Sequence, residues 1–220
     1  MRLISIVFVI LAASAEVLHA QRRIPRPLVG EPATWVTAGA GFFTANGVND
    51  GATESTWDFG SATNFQYRAS LERTIGDRSS IGLIGTYVRV PFTYVSNATL
   101  PSGEEAHLDM MTLSLGFHIG GGPGLHQVIE GNAGAVRYSN LKRDSDGAAL
   151  APTGGNVDPI FSFGYGFGYG FGQTTQINLV QDIGIALHEK TGLANGVRNT
   201  NSVRTLRFTA RFGFGTRARR

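Results

Sequence analysis

Residues 161–172 read FSFGYGFGYGFG, and no other segment limits the fold as tightly. Phe161, Phe163, Tyr165, Phe167, Tyr169 and Phe171 share one face of an extended chain, and glycine fills almost all of the other. In a helix the same aromatics would ring every side, so the segment is a strand. Period two recurs. Met111, Leu113, Leu115, Phe117 and Ile119 alternate with Thr112, Ser114, Gly116 and His118. Ile177, Leu179, Ile183, Ile185 and Leu187 form another apolar face, broken at Gln181. Leu206, Phe208, Ala210, Phe212 and Phe214 form a further one, against Thr205, Arg207, Thr209, Arg211 and Gly213.

This pattern predicts eight strands, at 33–44, 60–75, 79–94, 107–120, 124–138, 159–171, 175–188 and 203–215. They exceed the five or six residues usual in soluble proteins and suit tilted membrane strands of about 9–11. Tight turns are expected at 76–78, 121–123 and 172–174, and long polar loops at 45–59, 95–106, 139–158 and 189–202. Short turns at one end and long loops at the other are the pattern of transmembrane barrels. Turn length also sets register. A three-residue turn at 172–174 sets Tyr169 against Ile177 and Phe163 against Ile183, and one at 76–78 sets Leu71 against Leu83 and Tyr67 against Tyr87. A turn at 121–123 sets Phe117 against Gln127 and His118 against His126.

The first residues belong to export. Arg2 precedes the apolar run 3–13, small residues follow, and the chain turns polar at Gln21. This is a secretory signal peptide, expected over 1–20, with cleavage after Ala15 and an uncleaved anchor as alternatives. Beyond it no stretch approaches the roughly 20 apolar residues of a membrane helix. In a membrane the chain would therefore span as strands of a closed barrel. A soluble ligand-carrying barrel also alternates, with its apolar face inward. Charges on the polar face, strand glycines on that same face, alternating loop lengths and aromatics near strand ends (Tyr87, Phe92, Tyr94, Phe161, Phe171, Phe214) favour the apolar face outward. Glycine, 30 of 220 residues, is about double ordinary usage and gives clearance in a narrow lumen. There is no cysteine, which excludes disulfides, thiolate metal sites and a lipidated N-terminal cysteine. The net charge of +3 is dispersed apart from the short basic runs at 21–23 and 217–220, and no nucleic-acid site is expected.

Over residues 33 to 215 the chain resembles the OmpA/OmpX-type outer-membrane β-barrel family. The final strand, Leu206-x-Phe208-x-Ala210-x-Phe212-x-Phe214, is similar to the aromatic-rich terminal strand that the barrel assembly machinery reads in that family. It departs from the pattern in continuing past the last aromatic, to Arg220. The resemblance implies an all-β, eight-stranded antiparallel up-and-down barrel at 33–215 in a bacterial outer membrane. A short periplasmic segment at 21–32 precedes it, and a basic tail at 216–220 follows. The partners implied are outer-membrane lipid, lipopolysaccharide and the assembly machinery, with a monomeric state.

The candidate chemistry lies on the polar face. Arg68, Glu72, Glu130, Asp182, Arg207 and Arg211 balance in charge, and an interior salt-bridge network is expected because buried charges persist when paired. His118 and His126, facing each other, form a weak candidate metal pair with no third ligand. Ser114, Glu130 and His126 are the nearest approach to a hydrolase triad, but they point inward, away from lipid. Asp50, Glu54, Asp58 and Trp57 share a loop that could hold Ca²⁺ or a partner, solvated loop being the plainer reading. The glycine runs match neither dinucleotide nor phosphate-loop fingerprints. No cofactor and no catalytic residue are expected. The expected role is structural or surface-interacting through the four long loops. Alternatives are a narrow conduit for small solutes and a lipid-modifying enzyme.

Overall fold

The computed structural model describes residues 30–60, 63–96, 100–195 and 197–216. The expected signal peptide, most of 21–32 and the tail past Thr216 lie outside the described residues. Ten strands run in chain order: β1 (Thr34–Ala45), β2 (Val48–Asp50), β3 (Ser55–Asp58), β4 (Asn64–Gly76), β5 (Ser79–Ser96), β6 (Leu100–Ile119), β7 (Gly124–Arg143), β8 (Asn156–Gly170), β9 (Thr175–Leu187) and β10 (Thr200–Phe214). Eight of them, β1 and β4 to β10, form an antiparallel wall in which each pairs with its neighbours and β1 closes on β10. Closure satisfies every wall strand on both edges, as a lipid-embedded sheet requires.

Large apolar side chains cover the outside: Leu71, Leu83, Leu113, Phe163, Phe171, Ile183 and Phe208 are all more than half exposed. The glycines of β8 face inward, where a Cβ at Gly164 would collide with the Asp182 carboxylate and one at Gly168 with Asn178 and His126. The run therefore makes room for polar side chains of β7 and β9.

Two turn registers match the sequence reading. Tyr169 pairs with Ile177 and Phe163 with Ile183. Leu71 pairs with Leu83 and Tyr67 with Tyr87, although the turn is a two-residue Asp77-Arg78 with a register shift between Thr74 and Gly76 that restores the same alignment. The middle turn corrects the expectation. Phe117 pairs with Gly131, not Gln127, and His118 with Glu130, not His126. Gly120, Gly121, Gly122 and Gly124 all have positive φ, a conformation open chiefly to glycine. They carry the chain across the turn end, where Gly120 N–H donates to the Arg78 carbonyl at 2.9 Å. Residues 124–128 consequently pair with β8 alone.

The loop end differs from expectation in three further ways. Residues 45–59 are not a solvated loop: β2 and β3 form a hairpin, and β3 pairs with the end of β5. Residues 95–106 largely prolong β5 and β6 as one long hairpin. Phe92 and Tyr94 do not join an outer girdle. They point inward and are buried, with Val88, Val90, Leu108 and Met110.

Candidate functional site

The interior has two layers of different chemistry. The layer toward the turns is ionic. Glu130 on β7 lies at its centre: its Oε2 accepts from Arg68 Nη2 at 2.8 Å and from Arg207 Nη2 at 2.5 Å, and its Oε1 lies 3.1 Å from His118 Nδ1. Arg207 also donates from Nη1 to Asp182. Nearer the turns, Arg211 Nη2 donates to Glu72 Oε2 and to Ser80 Oγ, both at 2.6 Å. Glu72 also accepts from Ser70 at 2.8 Å and Ser80 at 2.6 Å. The Arg211 guanidinium stacks over the Trp35 ring at 4.5 Å. All six charged residues singled out in the sequence are thus in buried ion pairs, contributed by β4, β7, β9 and β10. Interior positions attract such pairing because an unpaired charge in low dielectric costs several kcal/mol.

The two histidines are not register partners. His118 turns to Glu130 and His126 Nδ1 lies 3.0 Å from the Gly124 carbonyl. Among the described residues no cluster of three or more His, Asp or Glu has metal-binding geometry. Nor do Ser114, Glu130 and His126 form a relay, since the Glu130 carboxylate is bonded to the two arginines and His118.

The layer toward the loops is mostly apolar. Trp57, from the β2–β3 hairpin, has no solvent exposure and packs edge-on to Tyr138 and His188, with ring centroids 5.6 and 5.4 Å apart. Its Nε1 donates to Ser55 Oγ at 3.0 Å. His188 sits between two acids, with Nδ1 2.8 Å from Asp158 and Nε2 3.9 Å from Asp50. Asp50 in turn accepts from Ala52 N and Thr53 Oγ1, each at 2.9 Å, and so closes its own turn. The hairpin is thereby fixed to β8 and to the segment after β9. Asn49 donates to the Arg198 carbonyl at 3.2 Å, and a side chain at Gly51 would collide with backbone at Thr191 and Gly192. Of the four loop residues named earlier, Asp50 and Trp57 turn in, whereas Glu54 and Asp58 are exposed.

Sequence reasoning missed His188, Asp158 and Tyr138 as one cluster, in which Asn201 Nδ2 donates to Tyr138 Oη at 3.4 Å. The available signal was Trp57 with Val48 and Phe59, apolar residues in an otherwise polar segment. Between the layers lies a chamber of about 60 Å³, lined by Arg68, Asn132, Ser162, Asp182 and Thr205 below and Phe43, Ile84, Val88 and Val203 above. Arg68 Nε, Asn132 Oδ1 and Asp182 Oδ1 have no protein partner. A space of this size and polarity is one that water fills.

No protein-family model matches the chain, and no curated protein sequence matches it. Solved structures do. Neisserial surface protein A superimposes with a TM-score of 0.54 at 14% identity, over 84% of this chain and 99% of that one. OprG of Pseudomonas aeruginosa gives 0.44 at 13% identity, over 84% and 98%. AlkL in lipid bilayers gives 0.41 at 15%, over 90% and 98%. The chain has the fold of the small eight-stranded outer-membrane barrels, with the apolar exterior and charged interior of a transmembrane β-barrel.

Proposed function

We propose that this chain is a closed, non-enzymatic barrel of the bacterial outer membrane whose loop end is an interaction surface. It would be exported by the signal peptide at 1–20, inserted by the barrel assembly machinery, and surrounded by outer-membrane lipid and lipopolysaccharide as a monomer. One observation carries the reading: the interior is blocked twice, by the ion layer around Glu130 and by the hairpin with Trp57 across the mouth. A protein built for passage has no use for both. A rigid scaffold does, since paired charges and a packed cap hold the loops in one arrangement. The exposed rim beyond the cap carries charges of both signs, among them Glu54, Asp58, Asp144, Asp146, Glu189 and Lys190. This suits a polar macromolecular partner more than an apolar one.

The chamber between the layers favours a second reading, a narrow conduit that opens when the hairpin moves. Single-channel conductance of refolded residues 21–220 in a planar bilayer separates the two, after a heat-sensitive gel shift has established folding. Silence is expected. Steady openings would replace the scaffold with the conduit.

A further inference from the structure

The outer wall carries a feature that neither interior layer uses. Across β4 to β7 the lipid-facing surface is indented into an open groove of about 740 Å³. Register places Ala69 beside Gly85, Gly85 beside Leu113 and Leu113 beside Ala135. One row toward the loops, Tyr67, Tyr87, Met111 and Arg137 stand side by side. Ala69, Gly85 and Ala135 thus give the groove a floor of small residues with Leu113 standing in it, and Arg137 lies at its loop-side end.

The Arg137 side chain is exposed and has no ion-pair or hydrogen-bond partner among the described residues. Two strands away and one row nearer the loops, Arg89 Nε donates to Asp109 at 3.0 Å while most of the Arg89 side chain stays open. The carboxylate on the strand between them, Asp109, is buried and further occupied by Tyr87 Oη at 3.0 Å and Asn140 Nδ2 at 2.6 Å. The rim is therefore net cationic. The loop end of such a barrel faces the outer leaflet. A cation at the headgroup level above an apolar slot is complementary to a phosphate attached to an acyl chain.

We propose that this groove is a binding site for one phosphorylated glycolipid of the lipid A type, its phosphate on Arg137 and Arg89 and an acyl chain along Gly85. This deepens the lipopolysaccharide contact proposed above and rests on this wall facing lipid. The binding energy comes from charge-assisted hydrogen bonds at the rim and shape fit below it, so the site discriminates by headgroup phosphate and by groove depth.

Gly85 permits a clean test. Its φ is ordinary, and a Cβ there would meet nothing nearer than the Thr112 carbonyl at 4.0 Å. Gly85→Leu therefore fills the groove without straining the wall. Gly131→Leu is the control: it lies outside the groove, and nothing stands within 4 Å of an added Cβ. Each variant is refolded, checked by the heat-sensitive gel shift, placed in phosphatidylcholine nanodiscs and titrated with lipid A, with dephosphorylated lipid A and phosphatidylglycerol as competitors. Native mass spectrometry counts retained lipid. Wild type and Gly131→Leu should keep one lipid A, and Arg137→Ala and Gly85→Leu should retain it about tenfold more weakly. Dephosphorylated lipid should compete poorly. Unchanged retention in both variants would overturn the proposal. Equal retention of phosphatidylglycerol would also overturn it, reducing the groove to part of a general anionic annulus. A variant that loses the gel shift has lost the barrel, which distinguishes failure of the fold from failure of the site.

Discussion

At the scale of single residues, the interior charges are interdependent. Arg207 is 1% exposed and bonds both Glu130 and Asp182. Removing it leaves two acids with Arg68 as their remaining guanidinium neighbour. Arg207→Ala should destabilise the barrel by about 3–5 kcal/mol, the usual cost of breaking a buried pair. A lowered urea unfolding midpoint in lipid vesicles would show it, and an unchanged midpoint would mean that the layer is wetted. The six charges were legible because parity alone places Arg68, Glu130, Asp182 and Arg207 on the face opposite the apolar one. Which acid meets which base was not legible, since pairing depends on stagger around the wall. One four-residue error at Gly120–Gly124 was enough to set His126 where Glu130 stands. Nothing in a glycine run says whether it turns tightly or crosses the barrel base.

At the scale of elements, the β2–β3 hairpin decides what the mouth looks like. Its strands have 3 and 4 residues, too few for periodicity to register. They exist because β5 runs past the wall and offers a free edge that β3 completes. The eight wall strands, being long and regular, were legible to within about four residues, except at the loop ends of β6 and β7, where the first starts seven residues earlier than expected and the second ends five residues later. The inward turn of Phe92 and Tyr94 was not, because it depends on a hairpin that the sequence does not announce. The hairpin's stability rests on Trp57 and on the contacts of His188 with Asp50 and Asp158. Chymotrypsin should therefore spare Trp57 in the folded wild type, whereas His188→Ala should be cut there several-fold faster. Cleavage tracks the population of the open form when closing is fast. Mapping the fragments by mass spectrometry checks this, and equal cleavage rates would show that the histidine does not hold the hairpin.

At the scale of the whole molecule, two closures in series make the barrel redundant as a barrier. Replacing residues 47–59 by a Gly/Ser linker should leave it electrically silent, because the layer of Arg68, Glu130, Asp182 and Arg207 still fills the cross-section. Openings from that variant in a planar bilayer would show that the hairpin alone holds the barrier. The closing seam has a different consequence. β10, the last strand in chain order, supplies Arg207 and Arg211 and closes the wall on β1. Without it, Glu72, Glu130 and Asp182 have Arg68 as the sole wall guanidinium among their partners in the described residues, and two sheet edges stand open. A chain cut short before residue 200 can neither neutralise its interior nor seal its wall. Loss of the last strand is thus a charge defect as well as a backbone one, since an acidic surplus inside and open edges outside are both costly in a membrane.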